Sequence, residues 1–245
     1  MIISCVKWGN KFSHEHVNRL YRMCRKNIQD EFTFVCYTEN SESIHKNIKI
    51  IPLDLSYDLE NWWWKLCLFQ EPTKEVNIFF DLDIVIQKDI THYKDYVADN
   101  KITLVKCYWK PWLENTKAFV EEQFDMNINS SVMVWKGDLT EVWNTFNHDP
   151  EFFMLKYNGI DSYLYFDQPE KIKFLPKGQV YSRLYGIDEN NHWNPKYGRQ
   201  HDQHLFFDAE KNICLFNGWR RKTEWNGTRY LLDNEGYNGF EQYWD

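Results

Sequence analysis

Short apolar runs alternate with polar loops and a helical pattern along the first part of the chain. Residues 2–6 (IISCV), 32–38 (FTFVCYT) and 48–53 (IKIIPL) have the apolar, β-branched character of buried strands. Between the first two, apolar residues recur at three- and four-residue spacing behind Ser13, which predicts a helix with Ser13 as its N-cap. This alternation of strand, helix and strand predicts an α/β fold with a mixed, mostly parallel central sheet flanked by helices.

The same patterns continue beyond residue 60, without an internal repeat or a linker that would divide the chain. Further strands are predicted at 77–86 (NIFFDLDIVI), 102–109, 127–137 and 212–218, and helices at 61–70, 138–147 and about 151–166. From about residue 177 to 204, and again from 219 to 245, no clear periodicity is present.

Two acids interrupt the most apolar of these strands. In FFDLDIVI, a continuous strand would direct Asp81 and Asp83 to one face and Leu82 to the other, because side chains alternate along a strand. The alternative is that the strand ends at Phe80 and the acids cap a solvated loop. Burying two like charges is costly without a cation, and carboxylate oxygens suit Mn²⁺ or Mg²⁺, which bind substrate phosphates as well. The pair therefore predicts a metal site for a phosphorylated ligand.

Composition narrows the possible partners. The formal net charge of -7 argues against nucleic acid, since phosphate backbones bind basic surfaces. The 12 tryptophans and 15 tyrosines of the 245 residues are numerous enough to suggest a binding surface as well as core packing. The six cysteines form no CxxC pair, which indicates buried free thiols in a reducing compartment. With no signal peptide and no transmembrane segment expected, we predict a cytoplasmic location.

Five short segments, in this order, resemble the GT-A glycosyltransferases, in particular the glycogenin and lipopolysaccharide galactosyltransferase group and small capsular or phage-type relatives. They are VKWGNKF in the opening strand and loop, WWWKLCLF, FFDLD, NSSVMVWKG and FDQ. The resemblance covers about residues 1–176 and implies one glycosyltransferase domain over 1–245. Residues 1–110 would then form the nucleotide-binding half, 111–218 the donor-sugar and acceptor half, and 219–245 a C-terminal tail.

The resemblance also implies roles for individual residues. Asp81 and Asp83 would bind the metal, and Asp81 would contact the nucleotide-sugar as well. Asp167 and Gln168 match the family's D-Q pair at the reaction centre, although a helix-end turn before Pro169 would explain them equally. Ser131 stands where the family usually has glycine. The other residues expected to contact the nucleotide-sugar are Val6, Lys7, Trp8, Lys65, Asn129, Ser130 and Ser131.

The third metal ligand is left open between three candidates. Asn217, in LFNGWRRK, stands where the family often has a histidine, and an Asn carbonyl oxygen can bind a hard cation. His201 and His204, in RQHDQH, are the alternatives. The basic cluster that follows is interpreted as a phosphate clamp or as a solvated turn, and consists of Arg220, Arg221 and Lys222.

These features predict a metal-dependent transferase that moves sugar from a nucleotide-sugar, with a UDP-sugar expected, to a glycan or lipid-linked acceptor. The glycogenin-like resemblance favours retention of the anomeric configuration. Possible stacking platforms for the acceptor are Trp62, Trp63, Trp64, Trp109 and Trp112. Two competing functions remain: a nucleotidyltransferase or nucleotide-sugar hydrolase, and a non-catalytic carbohydrate-binding protein. The first lacks its expected Gly-rich basic loop, because VKWGNKF has one glycine, and the second has no need of two buried acids.

Overall fold

The opening of the chain folds into the alternating elements that the apolar pattern predicts. The computed structural model describes residues 1–113, 126–192, 205–217 and 240–244. Within the first of these ranges, the elements in chain order are strand β1 (Ile2–Lys7), helix α1 (His14–Asn27), strand β2 (Thr33–Thr38) and strand β3 (Lys49–Pro52).

Helix α1 begins directly after Ser13, as predicted. The ring Nδ1 of His16 accepts a hydrogen bond from the Ser13 backbone N–H at 3.2 Å, which satisfies a donor that the first helical turn leaves free. The buried side chains of the helix are Val17, Leu20, Met23 and Cys24. They form one apolar stripe, which packs the helix against the sheet.

The predicted strand over residues 77–86 is two strands in two different sheets. Strand β4 (Thr73–Phe80) ends at Phe80, and strand β5 (Ile84–Ile86) begins after a turn at residues 81–83. Both strands are buried at the turn, so in the sequence they read as one apolar run that only the two acids interrupt. The prediction of a single strand, with Asp81 and Asp83 on one shared face of it, was therefore wrong.

The remaining regular elements follow the predicted order with shorter bounds. The 3₁₀ helices are Leu55–Tyr57, Asn61–Phe69, Thr91–Tyr96, Pro111–Leu113 and Pro169–Lys171. The α-helices are α2 (Thr140–His148), α3 (Pro150–Lys156), α4 (Ile160–Asp167) and α5 (Glu241–Trp244). The strands are β6 (Ile102–Lys106), β7 (Ile128–Gly137), β8 (Ile172–Phe174), β9 (Val180–Ser182), β10 (Gly186–Asp188), β11 (Asn191–His192) and β12 (Ile213–Leu215).

Seven strands form the central sheet, in the order β3-β2-β1-β4-β7-β6-β8. Four of its six pairings are parallel, and β7 runs antiparallel to both of its neighbours. Alternate residues of β4 face opposite sides, since Ile78 and Phe80 join one apolar cluster and Phe79 joins the other. The mixed, mostly parallel sheet is thus confirmed.

A second sheet of five strands has the order β11-β10-β9-β12-β5. Strand β5 pairs antiparallel with β12, so the chain passes from the central sheet to this one within the three residues after β4. The turn that makes this passage is the acidic segment Asp81-Leu82-Asp83.

The predicted helix over about 151–166 is divided into α3 and α4 at Gly159. A β-carbon on residue 159 would lie 2.2 Å from the indole Nε1 of Trp62, so a side chain at this position would collide with the tryptophan. Glycine also favours the backbone φ of +159° found here, which ends one helix and redirects the chain into the next.

The six cysteines all lie within the described residues and are buried with free thiols, as predicted. None of the described helices is both long enough and apolar enough to cross a bilayer.

Candidate active site

The acidic turn between the two sheets is held by backbone hydrogen bonds on both sides. The N–H of Asp81 donates to the Ser131 carbonyl on β7 at 2.9 Å, and the N–H of Phe216 donates to the Asp83 carbonyl at 2.9 Å. The turn lies at the carboxyl end of β4, where ligands commonly bind in α/β sheets. Its position is therefore fixed by the two sheets together.

The carboxylates of the turn influence each other's charge. Burial of Asp83, which is 9% exposed, raises its pKa to about 6, and the nearby charge of Asp81 adds to this effect. Lys11 and Lys65 act in the opposite direction and favour the ionised carboxylate. The two carboxylates therefore lie close enough to interact electrostatically, even though they do not share a strand.

Lys65 reaches the turn from the 3₁₀ helix Asn61–Phe69. Its ammonium lies 2.8 Å from Asp81 Oδ1 and 2.8 Å from Oδ2, and it donates to Ser130 Oγ at 3.2 Å. The lysine that the sequence resemblance singled out is thus buried between the acidic turn and β7. The Lys65 ammonium is therefore already positioned to bind a second anionic group beside Asp81.

The segment Asn129-Ser130-Ser131 forms the β7 side of the site. Asn129 Oδ1 accepts a hydrogen bond from the Ser131 N–H at 2.9 Å, which fixes the amide group beside the strand. The side chains of Ser130 and Ser131 are buried. The structure brings these three residues and the acidic turn together.

Asp161 is a site residue that sequence reasoning missed. It lies in the first turn of α4, and its Oδ1 accepts the Ser130 backbone N–H at 2.9 Å. Burial raises the pKa of Asp161, whereas the charge of Lys65 and the hydrogen bonds from Ser130 lower it. In the sequence, Asp161 resembles any acid near a helix N-terminus. The only local signal for it is Gly159, two residues earlier.

Asp167 and Gln168 lie at the other end of α4, about 9 Å of helix rise from Asp161. Asp167 forms an ion pair with Lys156 at 3.3 Å. The buried Gln168 donates through Nε2 to the Tyr163 hydroxyl at 3.2 Å, and that hydroxyl donates to the Val142 carbonyl at 2.8 Å. Asp167 is thus bound to α3, and Gln168 is bound to Tyr163 of its own helix.

A cleft of about 370 Å³ opens at the carboxyl ends of β1 and β2. Lys7 lines it with a buried side chain, and Gly9 and Asn10 form its edge. Glu39 Oε1 accepts the Gly9 N–H at 2.8 Å, and a positive φ of 63° explains the glycine. The remaining lining residues are Phe12, Ser13, His14, Asn40, Glu42 and Ser43.

The neighbours of Lys7 point away from this cleft into aromatic packing. Val6 packs against the apolar cluster on one face of the central sheet. Trp8 packs against the same cluster, with its ring centroid 6.4 Å from that of Trp64. Lys7 is therefore the residue of the predicted trio that faces the cleft.

The donor set around the acidic turn fits a divalent cation. Asp81 and Asp83 supply carboxylate oxygens, and the cost of their proximity falls when a cation is shared between them. Asn217 directly follows Phe216, whose backbone N–H donates to the Asp83 carbonyl. The Asn217 Oδ1 accepts a hydrogen bond from Ser182 Oγ at 2.8 Å, which orients the Asn217 amide. Among the described residues, no group of three or more His, Cys, Asp or Glu side chains is arranged so that it could hold a metal ion by itself. His201, His204, Arg220, Arg221 and Lys222 lie outside these residues.

We expect the affinity for Mn²⁺ to fall about tenfold per pH unit below pH 6. Asp83 has a pKa of about 6, so it is mostly protonated below that pH. A cation must displace the proton to bind the carboxylate. Calorimetric titration with Mn²⁺ between pH 5 and pH 8 measures the effect. A constant affinity across this range would show that the Asp83 carboxylate does not bind the ion.

The fold belongs to the GT-A class, as the sequence resemblance predicted. The structure of the galactosyltransferase LgtC with donor and acceptor sugar analogs is similar, with a TM-score of 0.56 and 12% identity over 95% of this chain and 94% of that one. The bifunctional glycosyltransferase WbbM matches with a TM-score of 0.57 and 12% identity, over 89% of this chain and 46% of that one.

The glycosyltransferase GlyE of Streptococcus pneumoniae TIGR4 matches with a TM-score of 0.51 and 9% identity, over 75% of this chain and 48% of that one. The chain therefore spans about half the length of WbbM and GlyE. No protein-family model and no curated protein matches the sequence. The likeness to solved structures is one of fold.

Proposed function

We propose that the chain is a metal-dependent glycosyltransferase that moves a sugar from a UDP-sugar to a glycan or lipid-linked acceptor with retention of configuration. The observation that carries the proposal is the acidic turn at residues 81–83, which lies beside Lys65 and Asp161 at the carboxyl end of β4. Paired carboxylates next to a buried ammonium suit a diphosphate bound through a shared cation.

The donor would lie along the carboxyl ends of β1 and β4 and the amino end of β7, which runs antiparallel to β4. The cleft at Lys7 is large enough for a nucleoside, and the acidic turn is the place for the diphosphate. The sugar would then lie near Asn129 and Ser130, within reach of Asp161. This division matches the expected roles of residues 1–110 and 111–218, which remain predictions.

Charge at this site supports departure of the nucleoside diphosphate. Negative charge grows on the diphosphate as the glycosidic bond breaks, and groups fixed in advance stabilise it most. The Lys65 ammonium is held in place by Asp81 and Ser130 before any ligand arrives. A bound divalent cation would add Lewis-acid stabilisation of the same charge. Arg220 and Lys222 keep their proposed role as a phosphate clamp.

Asp161 is our candidate for the carboxylate beside the donor sugar. It shares its neighbourhood with Lys65 and Asp81, whereas Asp167 is paired with Lys156. The sequence resemblance instead places Asp167 and Gln168 at the reaction centre, and variants at the two ends of α4 separate these alternatives.

Mn²⁺ and UDP together are expected to raise the melting temperature by roughly 5 to 10 °C at saturating concentrations. Each alone should have a smaller effect, because the cation and the diphosphate stabilise each other's binding. Differential scanning fluorimetry with Mn²⁺, with UDP, with both, and with both plus EDTA measures the coupling. An unchanged melting temperature with every nucleoside diphosphate would reject the donor site.

Assay of the products separates the competing functions. A glycosyltransferase releases UDP from a UDP-sugar and forms a new glycoside when an acceptor is present. A nucleotidyltransferase releases pyrophosphate, and a nucleotide-sugar hydrolase forms free sugar at the same rate with or without acceptor.

A further inference from the structure

Trp62 differs from the two tryptophans that follow it. Its side chain is 47% exposed, whereas Trp63 and Trp64 are 4% and 1% exposed. Trp63 stacks on Phe146, with centroids 5.1 Å apart and planes at 13°. Trp109 is also fully buried, and the side chain of Trp112 lies outside the described residues. Burial thus removes three of the five suggested stacking platforms and leaves Trp62 available.

The local helix places Trp62 on the same side as Lys65. Both belong to the 3₁₀ helix Asn61–Phe69, in which residues three apart are eclipsed. Lys65 is bonded to Asp81 and Ser130 at the candidate site. Trp62 therefore lies one helical turn before Lys65, in the same 3₁₀ helix.

Gly159 holds the indole against the chain that enters α4. The position of a β-carbon on residue 159 would be 2.2 Å from Trp62 Nε1 and 2.6 Å from Cδ1. The ring therefore packs directly on backbone, two residues before Asp161. One side of the indole is fixed by this contact while nearly half of the side chain is open to solvent.

The residues that precede Trp62 in the chain are polar. Glu60 and Asn61 precede Trp62 and are both exposed. A flat apolar ring in a polar, solvent-exposed segment suits a ligand with hydroxyl groups at its edge and C–H groups on its face. A pyranose has this character, because its axial C–H groups form an apolar face and its hydroxyls point outward.

We propose that Trp62 is the stacking platform for a pyranose ring of the acceptor. The inference rests on the proposed glycosyltransferase function and narrows its acceptor to a glycan with a pyranose near the accepting hydroxyl. The indole face is electron-rich, so it attracts the C–H groups of the sugar in addition to removing apolar area from water. Gly159 keeps the ring in place, and the site then extends from the acidic turn to Trp62.

Fluorine NMR of the chain labelled with 5-fluorotryptophan tests the contact directly. The Trp62→Phe variant identifies the Trp62 resonance among the 12 tryptophans. We expect methyl β-galactopyranoside, methyl β-glucopyranoside or lactose, at millimolar concentration, to shift that resonance. If none of the three glycosides shifts it, the proposal is overturned.

Calorimetry of the variants supplies a quantitative check with whichever glycoside shifts the resonance. We expect Trp62→Ala to bind it about tenfold more weakly than the unmodified chain, the effect of losing one aromatic contact. Trp62→Phe should recover most of the affinity, since a phenyl ring still stacks. Phe152→Ala removes a similarly exposed aromatic ring on α3, which lines a different cleft together with Asn144 and His148, and should bind normally. Equal affinity in Trp62→Ala would overturn the proposal.

The two proposals fail in different ways. The glycoside titrations contain neither UDP nor Mn²⁺, so they report on Trp62 alone. A shifted Trp62 resonance in a chain that UDP and Mn²⁺ do not stabilise would support the platform and reject the donor site. Joint stabilisation by UDP and Mn²⁺ without any glycoside effect would reject the platform and leave the donor site supported.

Discussion

Asp83→Asn is expected to stabilise the metal-free chain at neutral pH while lowering glycosyl transfer by about 100-fold or more. The raised pKa of Asp83 means that its ionisation is less favourable in the folded chain than in the unfolded one. The stability of the metal-free chain should therefore decline as the pH rises from about 4 to about 6, and then remain at the lower level. An amide at this position has no charge to bury.

The gain for Asp83→Asn should be on the order of 2 kcal/mol at pH 7.5 and should disappear near pH 4. Urea unfolding at both pH values, in the presence of EDTA, measures it. Asp58→Asn is the matched control, because Asp58 is exposed and its positive φ of 50° suits asparagine equally well.

The same substitution should remove the joint stabilisation by Mn²⁺ and UDP, because an amide is a weaker ligand than a carboxylate for a hard cation. Stabilisation without loss of activity would mean that Asp83 is a buried acid with no ligand. Loss of both stability and activity would mean that its carboxylate supports the fold. Only the opposed changes in stability and activity agree with a metal ligand at Asp83.

Most of the central sheet could be predicted because its strands are apolar and its first helix has one clear apolar face. The passage between the two sheets could not be predicted. Strands β4 and β5 are both buried, and in the sequence they form one mostly apolar run that contains the two acids. The break between β4 and β5 is set by hydrogen bonds at either end of the turn, from Asp81 to Ser131 and from Phe216 to Asp83. Both partners are distant in sequence, and a local pattern does not contain them.

The candidate site was predicted where the chemistry is local to a short segment. Asp81 and Asp83 are marked by their apolar surroundings, and the resemblance placed Lys65 and Asn129–Ser131 beside them. Asp161 was missed because its role depends on a contact with Ser130, 31 residues earlier. Asp167 and Gln168 were selected from a three-letter match, which carries no information on which end of α4 lies nearer the acidic turn.

Asp161→Asn is expected to lower kcat about 100-fold, whereas Asp167→Asn should lower it less than about threefold. An asparagine at position 161 can still accept the Ser130 N–H, so the fold should be retained and the loss should come from the missing negative charge. Asp167→Asn weakens a partly exposed ion pair with Lys156, which contributes at most about 1 kcal/mol to stability. The amide oxygen can still accept the hydrogen bond that Asp167 shares with Tyr157.

Steady-state transfer kinetics and thermal unfolding of both variants distinguish the two ends of α4. The comparison is matched, because each variant replaces one aspartate of the same helix by its amide. If Asp167→Asn loses activity and Asp161→Asn retains it, the assignment made from the D-Q motif is correct and the one made from contacts is wrong. If Asp161→Asn alone loses activity, the carboxylate beside Ser130 and Lys65 is the one that acts on the donor sugar, and the start of α4 forms part of the active site.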